Sequence, residues 1–452
     1  MKAPAVETLA NFVANVKFED LPADVVEQTK LFLLDAVGCA YAAYKEDARK
    51  ANVATGLAQT FSGNEGVVIG GPRTHPAAAA LANGILTNAA DNDDTHKRAL
   101  IHIGSVVIPA ALSAAGARKV TAQDFIAAIV AGYEVTARVG MAVMPTHYRF
   151  WHSTATNGTF GAAACVGRSW GMDGGQIRHA LGYAGTQAAG LNTFFESGDD
   201  SKSVHPGKAA MNGYLAAVLT ELGATSPPDI FEHPKGYLAA YSLEPKPDAL
   251  TAGLGTTWEI LQNGFKFYPS ILASHSPIGA ALEIVGQSPI DPTDIESVHV
   301  RTYATVKSHF SSKDVQKTMA ARLSVPYCVA VALIDREVTQ KQFAPNRFED
   351  PIVRQLLDKV EVIADPELNP LYPEKFPARV IVNLKDGQTR EATFMYPKGD
   401  PSNPLSKEEL LTKFRDNLEG VTSQPKAEQI IDVIANLQNA DIGEFCSLLT
   451  KD

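Results

Sequence analysis

Cysteine is scarce and scattered. The four residues Cys39, Cys165, Cys328 and Cys446 include no CxxC pair, which excludes a zinc ribbon and a disulfide framework and fits a reducing compartment. A basic surplus is missing as well: 40 Lys and Arg face 50 Asp and Glu, for a formal net charge of −10. Nucleic-acid binding, which needs a positive footprint, is thereby demoted. Net charge describes the surface rather than one pocket, so an anionic small molecule stays open as a ligand. Long hydrophobic runs are also lacking. Residues 100–117 and 150–167 are broken by Gly, Pro, Ser, Thr and His, and the opening MKAPAVETLANFVANVKFEDLP has no signal-peptide core. A soluble, cytoplasmic protein with no membrane partner is the expectation. The common catalytic signatures fail too. The best GxGxxG match, Gly253-Leu-Gly255-Thr-Thr-Trp258, lacks its third glycine, Gly207-Lys208-Ala209 lacks the Ser/Thr of a P-loop, and neither GxSxG nor HExxH occurs. A nucleotide enzyme, a serine hydrolase and a zinc peptidase of that type are set aside.

What is present is an ordinary globular balance, 45% hydrophobic and 20% charged, over 452 residues. That is roughly three times a typical domain, so two or more packed units are expected. To about residue 264 the chain reads as successive helices. Pro22 and Pro76 stand at first helical positions, and Thr121 with Asp124 and Asp173 with Gln176 form capping boxes. A further helix, KAAMNGYLAAVLTEL, is expected after His205-Pro206-Gly207, with Gly223 as its stop. Its Ala- and Gly-rich neighbours suit close helix packing. Beyond residue 265 the character changes. IESVHVRT alternates as a strand does, ARVIVNLKDGQTREATFMY reads as a hairpin turning at Asp386-Gly387, and VPYCVAVALI reads as a helix. Ser406 and Glu409 then cap a returning helix that stops at Gly420. The predicted fold is a large all-α domain, residues 1–264 and 401–452, plus a smaller α+β lid domain, residues 265–400.

Polar residues gather in five otherwise apolar segments: Asp91-Asn-Asp-Asp-Thr95-His96 with His102 beyond it, Trp151-His152-Ser153-Thr154, Ser201-Lys202-Ser203-Val204-His205, Lys266-Phe267-Tyr268-Pro269, and Val325-Pro326-Tyr327. These side chains suit proton abstraction beside a carboxylate. Such a site must neutralise carboxylates with cations and place a base of near-neutral pKa at the carbon. Histidine meets the second need and lysine the first. Plain structural readings stand beside each. The acidic cluster can simply end one helix and cap the next, His152 can be a hydrogen-bonded structural residue, and Tyr327 can be core with its hydroxyl tied off. A calcium loop is disfavoured because the cluster lacks the regular ligand spacing.

Five stretches, DNDDTH…HIGSVVIPAAL, GYEVTARVG, WHSTATNGTFGAAACVGRSWGMDGGQIRHALGYAGTQAAGL, KSVHPGKAAMNGYLAA and KGDPSNPLSKEELLTKFR, together resemble the MmgE/PrpD family over nearly the whole chain. The resemblance implies a helical domain with an α+β lid, usually as a homodimer, working on a small polycarboxylate without cofactor or metal. Carried over by position, it implies catalytic roles for His102, His152, Asp91 and Tyr327 and substrate-binding roles for Thr95, Lys202 and Lys266. His102 is the expected base, oriented by Asp91 or Asp94, with His152 as its acid–base partner. The expected activity is 2-methylcitrate dehydration. Epimerisation of an iminodisuccinate-type dicarboxylate and cis-aconitate decarboxylation follow, and a helical interaction protein with a vestigial site is the non-enzyme alternative.

Overall fold

The computed structural model describes residues 4–451, which divide into two compact units. The first comprises residues 4–194, 200–264 and 406–451, and the second residues 195–199 and 265–405.

The first unit is built from helices. Ala122–Val143 packs on Ser153–Ser169, which packs on Ser201–Glu221, which in turn lies against Pro76–Ala89. Small residues permit these contacts. A Cβ on Gly207 would sit 2.1 Å from the Leu81 carbonyl oxygen, and one on Gly161 would sit 1.7 Å from Thr136 Oγ1. Caps hold the entries: Thr121 Oγ1 accepts from the Asp124 N–H without the reciprocal bond of a capping box, and Asp173 and Gln176 bond reciprocally. Ala122–Val143 is long and apolar enough by length and composition alone to cross a bilayer, although 94% of its most apolar window is buried inside the protein. The expectation that no run reaches that length is corrected here. Glu134 and Arg138, one turn apart, pair on this helix and break the run as read by eye.

One helix starts earlier than its sequence suggests. Ser201–Glu221 runs through Pro206 instead of beginning after it. Pro206 is the sixth residue of this helix, past the free donors of its first turn, so the helix continues through it at the cost of one hydrogen bond, to the Lys202 carbonyl. Ser201-Lys202-Ser203-Val204-His205 is therefore helical, and Lys202 and His205 share a face three residues apart.

The second unit holds a four-stranded sheet in the order Val360–Ala364, Ile295–Thr302, Ala378–Leu384, Thr389–Phe394. The first pair is parallel and the others antiparallel. Leu272–Gln287 packs on Thr389–Phe394 and on Val325–Asp335, whose N-cap Ser324 accepts from the Tyr327 N–H. The strand Val360–Ala364 was not anticipated. It follows the helix Pro351–Lys359 with no turn residue between them, although Val360 and Val362 alternate with Glu361 as a strand requires.

Candidate active site

The loop after Pro76–Ala89 carries the acidic cluster, and its backbone is unusual. Asp91 has φ +54° and Leu100 has φ +52°, left-handed values that cost a non-glycine residue about 1 kcal/mol or more. Three lysines hold the loop in place. Lys50 Nζ donates to the Ala89 carbonyl at 3.2 Å, Lys202 Nζ donates to Asp91 Oδ1 at 2.7 Å, and Lys413 Nζ donates to the Asn92 carbonyl at 2.7 Å. Lys413 also donates to Asp35 Oδ1 at 2.7 Å. Burial works against its charge, but the Asp35 carboxylate outweighs that and keeps the ammonium protonated.

The three carboxylates that follow one another in the cluster have different jobs. Asp91 pairs with Lys202. Asp93 accepts from Asn88 Nδ2, 2.9 Å from its Oδ2, and its Oδ1 faces His102 Nδ1 at an ion-pair distance of 3.3 Å. Asp94 accepts from the Gly104 N–H at 2.8 Å, from the Tyr133 hydroxyl at 2.9 Å and from Asn263 Nδ2. Burial, and then Asp93 and Asp35 nearby, push the Asp94 carboxyl up to about 8. The carboxylate that orients His102 is thus Asp93. Asp91 and Asp94, expected in that role, are engaged by Lys202 and by Tyr133, Gly104 and Asn263.

His102 is held from several sides. Its N–H donates to Thr154 Oγ1 at 3.1 Å, and Thr95 Oγ1 lies 3.4 Å from its Nδ1. A carboxylate 3.3 Å from Nδ1 favours the proton on that nitrogen, which leaves Nε2 as the lone-pair nitrogen of the neutral ring. That is the tautomer a base uses. His96 is assigned by the same logic. Its Nδ1 accepts from the Ala99 N–H, so Nε2–H faces Glu259 Oε2 at 3.3 Å, and burial lowers its pKa.

His152 caps Ser153–Ser169, and its N–H donates to the Gly190 carbonyl at 3.0 Å. Its ring meets Phe194 edge-on and places Nδ1 3.0 Å from His205 Nδ1. Burial first, and then the charges of His205, Lys202 and His102, hold its pKa well below the ordinary histidine value. His102, His152, Asp91, Thr95 and Lys202 therefore lie buried in the first unit, and Lys202, His102 and Asp91 all act electrostatically on His152 after burial and His205. Lys266 and Tyr327 belong to the second unit and are buried there. The Tyr327 hydroxyl donates to the Gln342 carbonyl, and burial raises its pKa.

Sequence reasoning missed Asp93, His205 and Lys413. Asp93 stood in the cluster, but spacing does not say which of three acids faces a ring eight to eleven residues on. His205 would have been found by reading Pro206 as helical, which puts it one turn from Lys202. Lys413 gave no signal, because its partners lie 378 and 321 residues away.

Asp91, Asp93 and His102 offer ligand atoms within 4.8 Å of one another, which makes them the group among the described residues that could hold a metal ion. The donor set fits a divalent cation poorly. The Lys202 ammonium already neutralises Asp91, and a divalent ion on that carboxylate would face its like charge.

The comparisons agree with the residue pattern. The model of the MmgE/PrpD N-terminal domain matches residues 7–250, and that of the C-terminal domain matches residues 268–439. A cis-aconitate decarboxylase of Aspergillus terreus is 27% identical over 473 residues, covering 99% of this chain and 96% of that protein. The cis-aconitate decarboxylase of Homo sapiens is 28% identical over 468 residues, 98% and 93% of the two chains. A mitochondrial 2-methylcitrate dehydratase of Yarrowia lipolytica is 27% identical over 170 residues, 35% of this chain and 32% of that one. With both domain models matched in order along nearly its whole length, the chain belongs to the MmgE/PrpD family.

Proposed function

We propose that this protein is a lyase of small polycarboxylates and that its reaction is decarboxylation of cis-aconitate. The observation that carries the reading is the set of contacts His102 on Asp93, His152 on His205, and Lys202 on Asp91, all of them buried except the partly exposed His205. Relatives named cis-aconitate decarboxylase support the choice of reaction, since they align over the full length, and they move it ahead of the dehydration expected from sequence.

The reaction sets three demands. The bond from carbon to one carboxylate breaks and CO2 leaves. The electron pair left behind spreads through the adjacent double bond toward a remaining carboxylate, and a proton ends the charge on carbon. One proton is consumed per turnover. Lys202 serves the carboxylates as a point charge, moving between Asp91 and substrate. His152 offers its ring as the acid that supplies the proton, and His102, with Nδ1 facing Asp93, presents a neutral Nε2 that would act as a base only in the dehydration reading. Low dielectric around these buried groups strengthens each interaction.

The test is CO2 release. Purified protein supplied with cis-aconitate is expected to release one CO2 per substrate consumed, with full activity after dialysis against EDTA. Lys202→Ala and Lys266→Ala are each expected to raise KM strongly, and Tyr327→Phe tests the hydroxyl in the same assay. Loss of water from 2-methylcitrate with no CO2 from cis-aconitate would favour the second reading, dehydration, which the Yarrowia relative supports. Activity lost to EDTA and restored by one divalent ion would overturn the metal-free mechanism.

A further inference from the structure

His205 has no part in the chemistry described so far, yet it makes the one side-chain hydrogen bond of His152. The two Nδ1 atoms lie 3.0 Å apart with ring centroids at 5.2 Å. Two lone pairs cannot bond there, and neither can two N–H groups, so a single hydrogen is shared between the rings. The contact therefore couples their tautomers. Among the described residues nothing bonds to His152 Nε2, so that nitrogen is the one able to meet a ligand. The rings differ in setting. His152 is 2% exposed and is flanked by Lys202 on the helix of His205 and by His102 and Asp91 on the acidic loop, whereas His205 keeps part of its surface in solvent. A positive charge costs less on His205.

We propose that His205 is a positioning residue that holds His152 as its Nε2–H tautomer and replaces, across the Nδ1–Nδ1 contact, the proton that Nε2 gives up. This rests on the decarboxylase reading for its reaction, though the coupling of the two rings does not. The charged His205 donates Nδ1–H to the lone pair on His152 Nδ1. When Nε2–H passes its proton to the carbon on which the displaced electron pair settles, the shared hydrogen moves from His205 to His152. No imidazolate forms, and both rings end neutral, His152 with Nδ1–H and His205 with Nε2–H. After product leaves, water returns one proton to His152 Nε2 and the shared hydrogen moves back. The balance is one proton from solvent per CO2 released. A neutral imidazole is a very weak acid on its own, and this coupling is what makes His152 a competent donor.

The experiment compares His205→Phe and His205→Gln with the full-length wild type. Phe keeps the ring volume and removes the bond. Gln can donate an amide N–H to Nδ1 but cannot transfer it. Both are expected to lose kcat on the order of 10²-fold with KM nearly unchanged, the scale of a lost acid–base contribution. The alkaline fall of kcat set by the His205 charge should vanish from both pH profiles. Independently of turnover, 15N NMR should show the His152 signal, identified by its loss in His152→Gln, as Nε2–H in the wild type and in His205→Gln and as a tautomer mixture in His205→Phe. Wild-type kcat and pH profile in both variants would overturn the proposal, as would a His152 tautomer indifferent to residue 205. If wild-type protein releases no CO2 from cis-aconitate, the decarboxylase reading fails and the NMR result alone decides the coupling. Should His205→Phe not fold, His205→Gln carries the kinetic test.

Discussion

Single side chains in the acidic loop are told apart by what each one touches. Asp93 faces Nδ1 of His102 at 3.3 Å, so Asp93→Asn takes away the charge that favours a proton on Nδ1 while leaving the shape of the loop. Its kcat is expected to fall on the order of 10²-fold or more, as is that of His102→Ala. The double variant should be little worse than His102→Ala, because the two residues act as one unit. Additive losses in steady-state assays would show that Asp93 acts on something other than His102. Asp94 gives a different signature. Its carboxyl titrates at about 8, far above the ordinary 3.8, so the folded protein binds that proton more tightly than the unfolded chain. The resulting stability is full below about pH 4, declines as pH rises, and is gone above about pH 8. Thermal midpoints measured between about pH 5 and 9 should fall with pH, and Asp94→Asn should flatten that fall. The amide fits the site, since Asn263 Oδ1 is buried without a hydrogen bond and can turn to accept from it. A slope unchanged by the substitution would place the titration elsewhere.

Among the elements, Lys407–Leu418 bears most directly on the loop. Ser406 and Glu409 form its capping box, and its Phe414 packs where a Cβ on Gly38 would lie only 2.8 Å from the ring. That close approach brings the Lys413 ammonium to Asp35 and to the Asn92 carbonyl. Lys413→Met keeps the length of the side chain and strands a buried carboxylate, a loss of about 3–5 kcal/mol. Chemical denaturation should show it, and Asp35→Asn made together with Lys413→Met should recover part of the loss. Two single effects that simply add would mean that the residues do not act as a pair. What the sequence disclosed at this scale depended on local signals. The N-cap at Thr121, the capping boxes at Asp173 and Ser406 and the Asp386-Gly387 turn were readable because each is written within a few adjacent residues. The helix start at Ser201 was hidden by Pro206, and the strand Val360–Ala364 by its direct junction with a helix.

For the whole molecule, the limit on what can be read is the distance between partners along the chain. The resemblance supplied Asp91, Thr95, His102, His152 and Lys202 as a set. It did not say that Lys202 would find Asp91 from 111 residues away, or that Asn263 would reach back 169 residues to Asp94. Such pairs belong to the tertiary fold and leave no periodicity to detect. The Lys413 bond also has a consequence in time. The acidic loop is synthesised 321 residues before the lysine that secures its Asn92 carbonyl. At about 5–20 residues per second, a growing chain waits on the order of 15 to 60 seconds between the two. During that interval the Asp35 carboxylate has no ammonium, and burying it would cost several kcal/mol. The N-terminal helices therefore have reason to stay open and hydrated around this spot until Lys407–Leu418 emerges. The order of synthesis thus makes the acidic loop an early-made part with a late-arriving support, and a competent site is among the last features the nascent protein acquires.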